Sequence, residues 1–107
     1  MPFSNFQNIL DALPNAAVLI TQDERIVAAN SAACELFSAQ MVGAHYASLL
    51  RQPELVEAVS ACFAAQDTRE IRFLLSRAEG DSVFQVKAAY LAGQTPQAVL
   101  LSFEDVS

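Results

Sequence analysis

The stretch VLITQDERIVAANSAACELF, from Val18 to Phe37, decides the fold that the sequence predicts. It begins with five residues of strand preference, Val18 to Gln22, which are followed by a polar pair and a second short strand, Arg25 to Ala29. Asn30 comes next, and Asn is a favoured helix N-cap because its side-chain oxygen accepts a hydrogen bond from a backbone amide of the first turn. The pattern predicts a strand, a tight turn, a second strand and a capped helix.

The length and composition predict one globular domain. The chain has 107 residues, of which 53% are hydrophobic, with only three Gly and four Pro. No apolar run approaches the roughly 18 residues of a membrane-spanning helix, and no signal peptide is recognisable at the N-terminus. We interpret residues 1–107 as a single domain from a longer protein, and we expect it to be soluble and cytoplasmic without inserting into a membrane itself.

Charge and cysteine content restrict the partners. The net charge of −6 argues against nucleic-acid binding, because phosphate contacts by Lys and Arg supply most of that affinity. Cys34 and Cys62 lie in apolar helical patterns and have no spacing typical of a metal motif or a disulfide framework. We expect both thiols to be buried and reduced, and we expect no metal.

Helical patterns flank the opening stretch. Ser4 to Leu13 has apolar residues at helical intervals and ends before a proline. Residues 38–50 are irregular and are expected to hold one or two helical turns. The clearest helix begins at Pro53, since proline suits a first helical position, and is expected to fade near Gln66 and Asp67.

From Thr68 onward the apolar period changes to two, which is typical of strands. Breaks at Glu79 to Asp81 and at Gly93 to Pro96 divide this part into three strands that form an antiparallel meander. The complete order predicts an α+β fold with a five-stranded antiparallel sheet, helices packed mainly on one face and an N-terminal amphipathic helix.

Several segments resemble a PAS domain in their order and spacing. They are ILDALPNAAVLI (9–20), RIVAAN (25–30), SAACELF (31–37), GAHYASLLRQPELVEAV (43–59) and FEDVS (103–107). Within that family, the segment LLRQPELVEAV is most similar to the cytoplasmic PAS domain of phosphate-regulon-type sensor histidine kinases.

The resemblance implies a non-catalytic sensory and dimerisation domain of a two-component sensor histidine kinase. The downstream kinase core would follow in the same chain, and the parent protein would be anchored in the inner membrane. The ending Glu104-Asp105-Val106-Ser107 resembles the family's junction with a signalling helix, in which Asp105 would be the output contact.

The apolar faces permit either a small ligand pocket or a packed core. The residues that would line such a pocket are Leu36, Phe37, Leu55, Val59, Phe63, Phe73, Phe84 and Leu101. No convergent polar groups accompany them, so the packed core is favoured over a small-molecule receptor. We expect no cofactor, because neither cysteine matches the reactive cysteine motif of flavin-binding members.

A homodimer is predicted through the N-terminal helix, because its apolar stripe lies on a short element. The stripe consists of Phe3, Phe6, Ile9, Leu10 and Leu13.

Two further interpretations have weaker support. His45, the only histidine, precedes the long helix and is expected to be a surface or capping residue rather than a haem ligand. A small α+β enzyme with a buried carboxylate base is the remaining alternative, and a buried carboxylate with a raised pKa would support it.

Overall fold

The structure is a computed structural model that describes residues 4–37, 41–77, 80–93 and 97–106, with the side chains of all of these except residues 4–6 and 77. Its elements follow the predicted order of one helix, two strands, helices and three strands. In sequence they are α1 (Ser4–Asp11), β1 (Ala16–Thr21), β2 (Ile26–Ala29), α2 (Ser31–Phe37), α3 (Tyr46–Leu49), α4 (Pro53–Ala65), β3 (Thr68–Arg77), β4 (Gly80–Leu91) and β5 (Ala98–Asp105).

The five strands form one antiparallel sheet in the order β2-β1-β5-β4-β3. The first and last strands are neighbours, with Ala16 opposite Phe103 and Thr21 opposite Ala98. β2 and β3 are therefore the two edges of the sheet, and α2, α3 and α4 connect them. The predicted α+β fold is confirmed.

The sheet is covered unequally on its two faces. Helices α2, α3 and α4 contribute Ala33, Tyr46, Leu55, Val59 and Cys62 to the main core on one face. On the other face, Leu10 of α1 packs in a smaller cluster of Ala17, Leu19, Ala28 and Ala98. All six residues of β1 are buried, because this strand is covered on both faces.

Asn30 connects three backbone segments through one buried side chain. Its Oδ1 accepts hydrogen bonds from Ala33 N at 2.9 Å, which caps α2 as predicted, and from Ala17 N at 3.0 Å. Its Nδ2 donates to Leu10 O at 2.9 Å and to Asn15 O at 2.8 Å. The amide thus joins the end of α1, the start of β1 and the start of α2.

Helix α4 begins and ends where the sequence predicts. Pro53 occupies the first turn, where its missing N–H leaves no hydrogen bond unmade. Gln66 follows the last turn in the left-handed conformation, with φ 55° and ψ 44°, and its N–H donates to Cys62 O at 2.8 Å.

Several predicted boundaries differ by one or two residues, and strand β1, for example, begins at Ala16 rather than Val18. Helix α1 ends at Asp11 rather than Leu13, because the next amides bond three residues back, with Leu13 N donating to Leu10 O, and the following Pro14 has no N–H to extend the helix. Gly80 and Asp81, expected in a turn, belong to β4. The rest of that predicted turn, Glu79, lies outside the described residues.

Candidate functional site

Four phenylalanine rings pack together among the apolar residues that could form either a ligand pocket or a packed core. The ring centroid of Phe103 lies 5.5 Å from that of Phe37, 5.9 Å from that of Phe73 and 6.4 Å from that of Phe84. Each of these pairs is edge to face, with interplanar angles of 72°, 78° and 82°. Such pairs stabilise a core by about 0.5–1.5 kcal/mol each beyond the burial of their area. The rings fill the space between α2 and the sheet.

The other residues of the predicted pocket are distributed among different places. Leu55, Val59 and Leu101 are at most 1% exposed. Val59 and Phe63 line one surface cleft, whereas Leu36 lines another depression together with Phe84. The eight residues are therefore spread over the buried core and separate surface depressions.

An open cleft of about 310 Å³ lies between the β1–β2 turn, α3 and α4, and we call it the turn cleft. Its polar groups come from Gln22, Glu24 and Ser60. They originate in segments that are far apart in the sequence, so no local motif indicated the site. The complete lining is Gln22, Glu24, Tyr46, Val59, Ser60, Phe63 and Ala64.

His45 lies at the edge of this region and makes a contact with each ring nitrogen. Nδ1 accepts a hydrogen bond from Ala47 N at 3.2 Å, which caps α3. Because Nδ1 accepts, the proton of the neutral ring is on Nε2, which lies 2.8 Å from Glu24 Oε2. Glu24 itself has a positive φ of 68° in the β1–β2 turn. The expectation of a capping histidine is confirmed.

Tyr46 forms the buried side of the turn cleft. The residue is 1% exposed, its ring stacks on His45 at 5.7 Å, and its hydroxyl lies 3.5 Å from Val56 O. Burial raises the pKa of this phenol, while a hydrogen bond with Ser60 opposes the shift and the negative charge of Glu24 adds to it. The phenol remains neutral near pH 7, and its hydroxyl is held by these contacts within the chain.

The structure divides the apolar stripe of the N-terminal helix. Leu10 is 2% exposed and packs within the chain, so its expected place on an exposed dimer surface is wrong. Ile9 and Leu13 face solvent, with 57% and 38% of their surface exposed. Phe3 and the side chain of Phe6 lie outside the described residues. Among the described members, Ile9 and Leu13 are thus the ones available to a second copy.

Asp105, the predicted output residue, is the last residue of β5. It is exposed, and its backbone pairs opposite Phe84. The side chain also lines a shallow depression with Pro14 and Asn15, which connect α1 to β1. The end of the last strand therefore lies close to the segment that follows the first helix, where Ala16 pairs with Phe103.

The two cysteines are free and differ in exposure. Cys62 is buried, and its Sγ donates to Ala88 O at 3.3 Å. Burial raises the pKa of the Cys62 thiol, and the negative charge of Asp67 acts in the same direction. Cys34 is half-buried, so the prediction of a buried thiol is met fully only at Cys62.

The described residues contain no group of three or more His, Cys, Asp or Glu side chains that could hold a metal ion. Within the same part of the chain, no helix is long and apolar enough to cross a membrane.

A family model described as a PAS domain matches residues 4–75, which is more than half of the 107 residues. Among curated proteins, no sequence is significantly similar to the chain.

Solved structures share the fold at low sequence identity. The PAS domain of Bordetella pertussis BvgS is 13% identical with a TM-score of 0.74, over 100% of this chain and 87% of that one. The PAS domain of nitrogen regulation protein NR(II) from Vibrio parahaemolyticus is 15% identical with a TM-score of 0.74, over 96% and 99%. A Rhodobacter sphaeroides LOV protein is 17% identical with a TM-score of 0.72, over 99% and 68%. Identities this low show the fold alone.

Proposed function

The chain belongs to the PAS domain family, and on that premise we propose that it relays a signal to the kinase core of a two-component sensor histidine kinase. PAS domains are in general non-catalytic sensory modules. The observation that carries the proposal is the position of Asp105 beside Pro14 and Asn15. A change in the N-terminal segment would thereby reach the last strand directly, where a downstream helix would be attached.

The narrower proposal is a kinase of the phosphate-regulon type. It is supported by the segment LLRQPELVEAV, in which Gln52 and Pro53 start helix α4 as the pattern predicts. The parent protein would be anchored in the inner membrane, with this domain in the cytoplasm.

Dimerisation belongs to the same proposal. Ile9 and Leu13 are exposed on or beside α1, so a second copy that packs against this helix would bury them. The dimer would bring two kinase cores together in one assembly.

The experiment uses the full-length parent protein. The gene downstream of Ser107 is expected to encode a helix with a phosphoacceptor histidine, and its absence would overturn the kinase proposal. Autophosphorylation is then measured for the wild type, Asp105→Ala and the control Asp81→Ala. We expect Asp105→Ala to change the rate by about tenfold, equivalent to ~1.4 kcal/mol, and Asp81→Ala to leave it unchanged. Equal rates for all three would exclude an output role of Asp105.

A small-molecule receptor is the second candidate, and the turn cleft is the observation that favours it. Its volume of about 310 Å³ lies at the lower end of ligand pockets, which are roughly 300–1,000 Å³. A metabolite that binds there raises the melting temperature with its concentration. A saturable shift that is lost in Ser60→Trp would support the receptor, and a shift unaffected by that variant would place binding elsewhere.

The enzyme alternative has no support from the described residues. The buried polar residues in that part of the chain are Thr21, Asn30 and Ser82, none of which is a carboxylic acid. Among the described carboxylates, Asp23 has a shifted pKa, which is lowered mainly by a hydrogen bond from Thr21. A lowered pKa makes Asp23 a weaker base, contrary to the expectation for a catalytic carboxylate.

A further inference from the structure

Gln52 forms two hydrogen bonds with the outer edge of strand β3. Its Nε2 donates to Arg72 O at 2.6 Å, and its Oε1 accepts from Leu74 N at 3.0 Å. β3 is an edge strand of the sheet. The Gln side-chain amide has a carbonyl oxygen and an NH2 group, and here its oxygen and one of its N–H groups both face β3, so Gln52 takes the place of the N–H and C=O groups of one residue of a neighbouring strand.

Gln52 lies at the start of α4, where a side chain could cap the helix instead of bonding to β3. Gln52 is the N-cap residue of α4, but its side chain makes no capping hydrogen bond to that helix. The amide is directed to β3 instead, about twenty residues away in sequence. The contact is therefore not a by-product of helix capping.

Alternate residues of β3 present their backbone groups to this edge. Because Arg72 O and Leu74 N face Gln52, the strand alternation places the N–H and C=O groups of Glu70 on the same side. Depressions of about 530 and 410 Å³ extend beside this edge, and Glu54 lines both. Open surface therefore lies beside this edge, at Arg72 and at Glu70.

We propose that the edge of β3 can pair with β3 of a second copy of this chain, and that the Gln52 side chain blocks this pairing while it is bonded to the edge. In an antiparallel pair with Ile71 on the twofold axis, Glu70 lies opposite the partner's Arg72 and Arg72 lies opposite the partner's Glu70. Both residues are exposed. Opposite charges directly across two strands attract each other, and the symmetry produces this pair twice.

Charge also selects the register of the pair. In an alternative register, the twofold axis passes through residue 72, and residues 70, 72 and 74 again face the partner strand. Arg72 then lies opposite the partner's Arg72, and the two like charges repel each other. In the favoured register, Leu74, which is 54% exposed, lies opposite the partner's Thr68. The result is a continuous sheet of two copies, formed only when the Gln52 amide leaves Arg72 and Leu74.

The variant Gln52→Asn tests whether the Gln52 side chain blocks pairing at the β3 edge. Asn is a better N-cap than Gln, so α4 is retained, but its side chain is one methylene shorter and no longer reaches β3. We expect sedimentation velocity to show association of this variant with a constant about tenfold or more above that of the wild type, a factor equivalent to ~1.4 kcal/mol. The control is Gln85→Asn, on the neighbouring strand β4, which should sediment as the wild type does.

Two charge variants identify the interface. Gln52→Asn with Glu70→Arg places like charges opposite each other and should abolish the added association. The further change Arg72→Glu restores both opposite-charge pairs and should restore it. Circular dichroism checks the fold of each variant.

Three outcomes would overturn the proposal. The first is a folded Gln52→Asn variant that associates no more than the wild type. The second is association that is unchanged by Glu70→Arg, which would place the contact elsewhere. The third is loss of the fold in Gln52→Asn, which would make Gln52 a structural residue rather than a closure of the edge.

Discussion

Asn30 satisfies backbone groups of three separate segments through one side chain that is 1% exposed. Its four hydrogen bonds reach Leu10, Asn15, Ala17 and Ala33. We expect Asn30→Ala to lower the free energy of unfolding by at least about 3 kcal/mol, because loss of a cap costs ~1 kcal/mol and each buried group without a partner adds ~1–3 kcal/mol. Urea denaturation measures this change.

Asn8→Ala is the matched control for Asn30→Ala. Asn8 lies on α1 and is exposed, so its replacement should change stability by at most about 0.5 kcal/mol. If both variants were equally stable, Asn30 would not be the connection between α1, β1 and α2 that the hydrogen bonds indicate.

The raised pKa of the Cys62 thiol should make the stability of the folded protein depend on pH. The pKa of its thiol is raised in the folded chain, first by burial, so the folded protein keeps this proton at a pH where the unfolded chain has lost it. This contribution to stability is complete below the unfolded pKa of about 8.5 and is lost as the pH rises through the higher folded pKa. The melting temperature of the wild type should therefore fall between pH 8 and pH 10.

Cysteine variants separate this effect from other alkaline transitions, including that of Tyr46. Cys62→Ala should be less stable than the wild type at pH 7, because it removes a buried side chain. Its melting temperature should then fall less steeply above pH 8, whereas Cys34→Ala should keep the wild-type slope. Identical slopes in all three proteins would show that Cys62 does not contribute.

At the scale of the element, the end of α4 is a site for stabilisation. Gln66 is exposed and has a φ of 55°. Glycine adopts this left-handed backbone conformation without the steric strain that a Cβ atom causes. Gln66→Gly is expected to raise the free energy of unfolding by about 0.5–1 kcal/mol. In Ala64→Gly, two residues earlier in the helix, the same glycine should lower it by a similar amount. Destabilisation by both would mean that the Gln66 side chain makes a contact of its own.

Two neighbouring apolar residues of helix α1, Ile9 and Leu10, lie in different environments. Leu10→Ala is expected to lower the free energy of unfolding by about 2–4 kcal/mol, because Leu10 is buried against the sheet. Ile9 is 57% exposed, so Ile9→Asp should leave monomer stability nearly unchanged and dissociate the proposed homodimer. Light scattering and urea denaturation measure the two quantities separately. A mass unaffected by Ile9→Asp would exclude the α1 stripe as the interface.

For the molecule as a whole, local sequence patterns are sufficient to predict the element order and part of the core. Period-two apolar residues identified β3, β4 and β5, and Asn30 and Pro53 marked the starts of two helices. The capping role of His45 was also predicted. These features depend on residues close together in sequence, which is why a single sequence contains them.

The contacts that sequence reasoning missed join distant segments. Gln52 bonds to a strand twenty and twenty-two residues away, and Glu24 meets His45 across twenty-one residues. Leu10 is apolar whether it faces a partner or its own sheet, so periodicity could not decide which surface it covers. Such pairings depend on the sheet order β2-β1-β5-β4-β3, which local patterns do not contain.

Phe103 tests whether the centre of the molecule is a packed core or a ligand pocket. It is on β5, near the middle of the sheet, and its ring contacts Phe37 of α2, Phe73 of β3 and Phe84 of β4. We expect Phe103→Ala to lower the free energy of unfolding by about 3–5 kcal/mol, because the neighbouring rings lose their common partner and a cavity remains. Phe63→Ala is the matched control. Its side chain is half-buried at the turn cleft, and its loss should cost less than half as much. If urea denaturation showed equally small decreases in the free energy of unfolding for both variants, the space around Phe103 would be loosely packed. An interior pocket would then be present, which would support the receptor hypothesis.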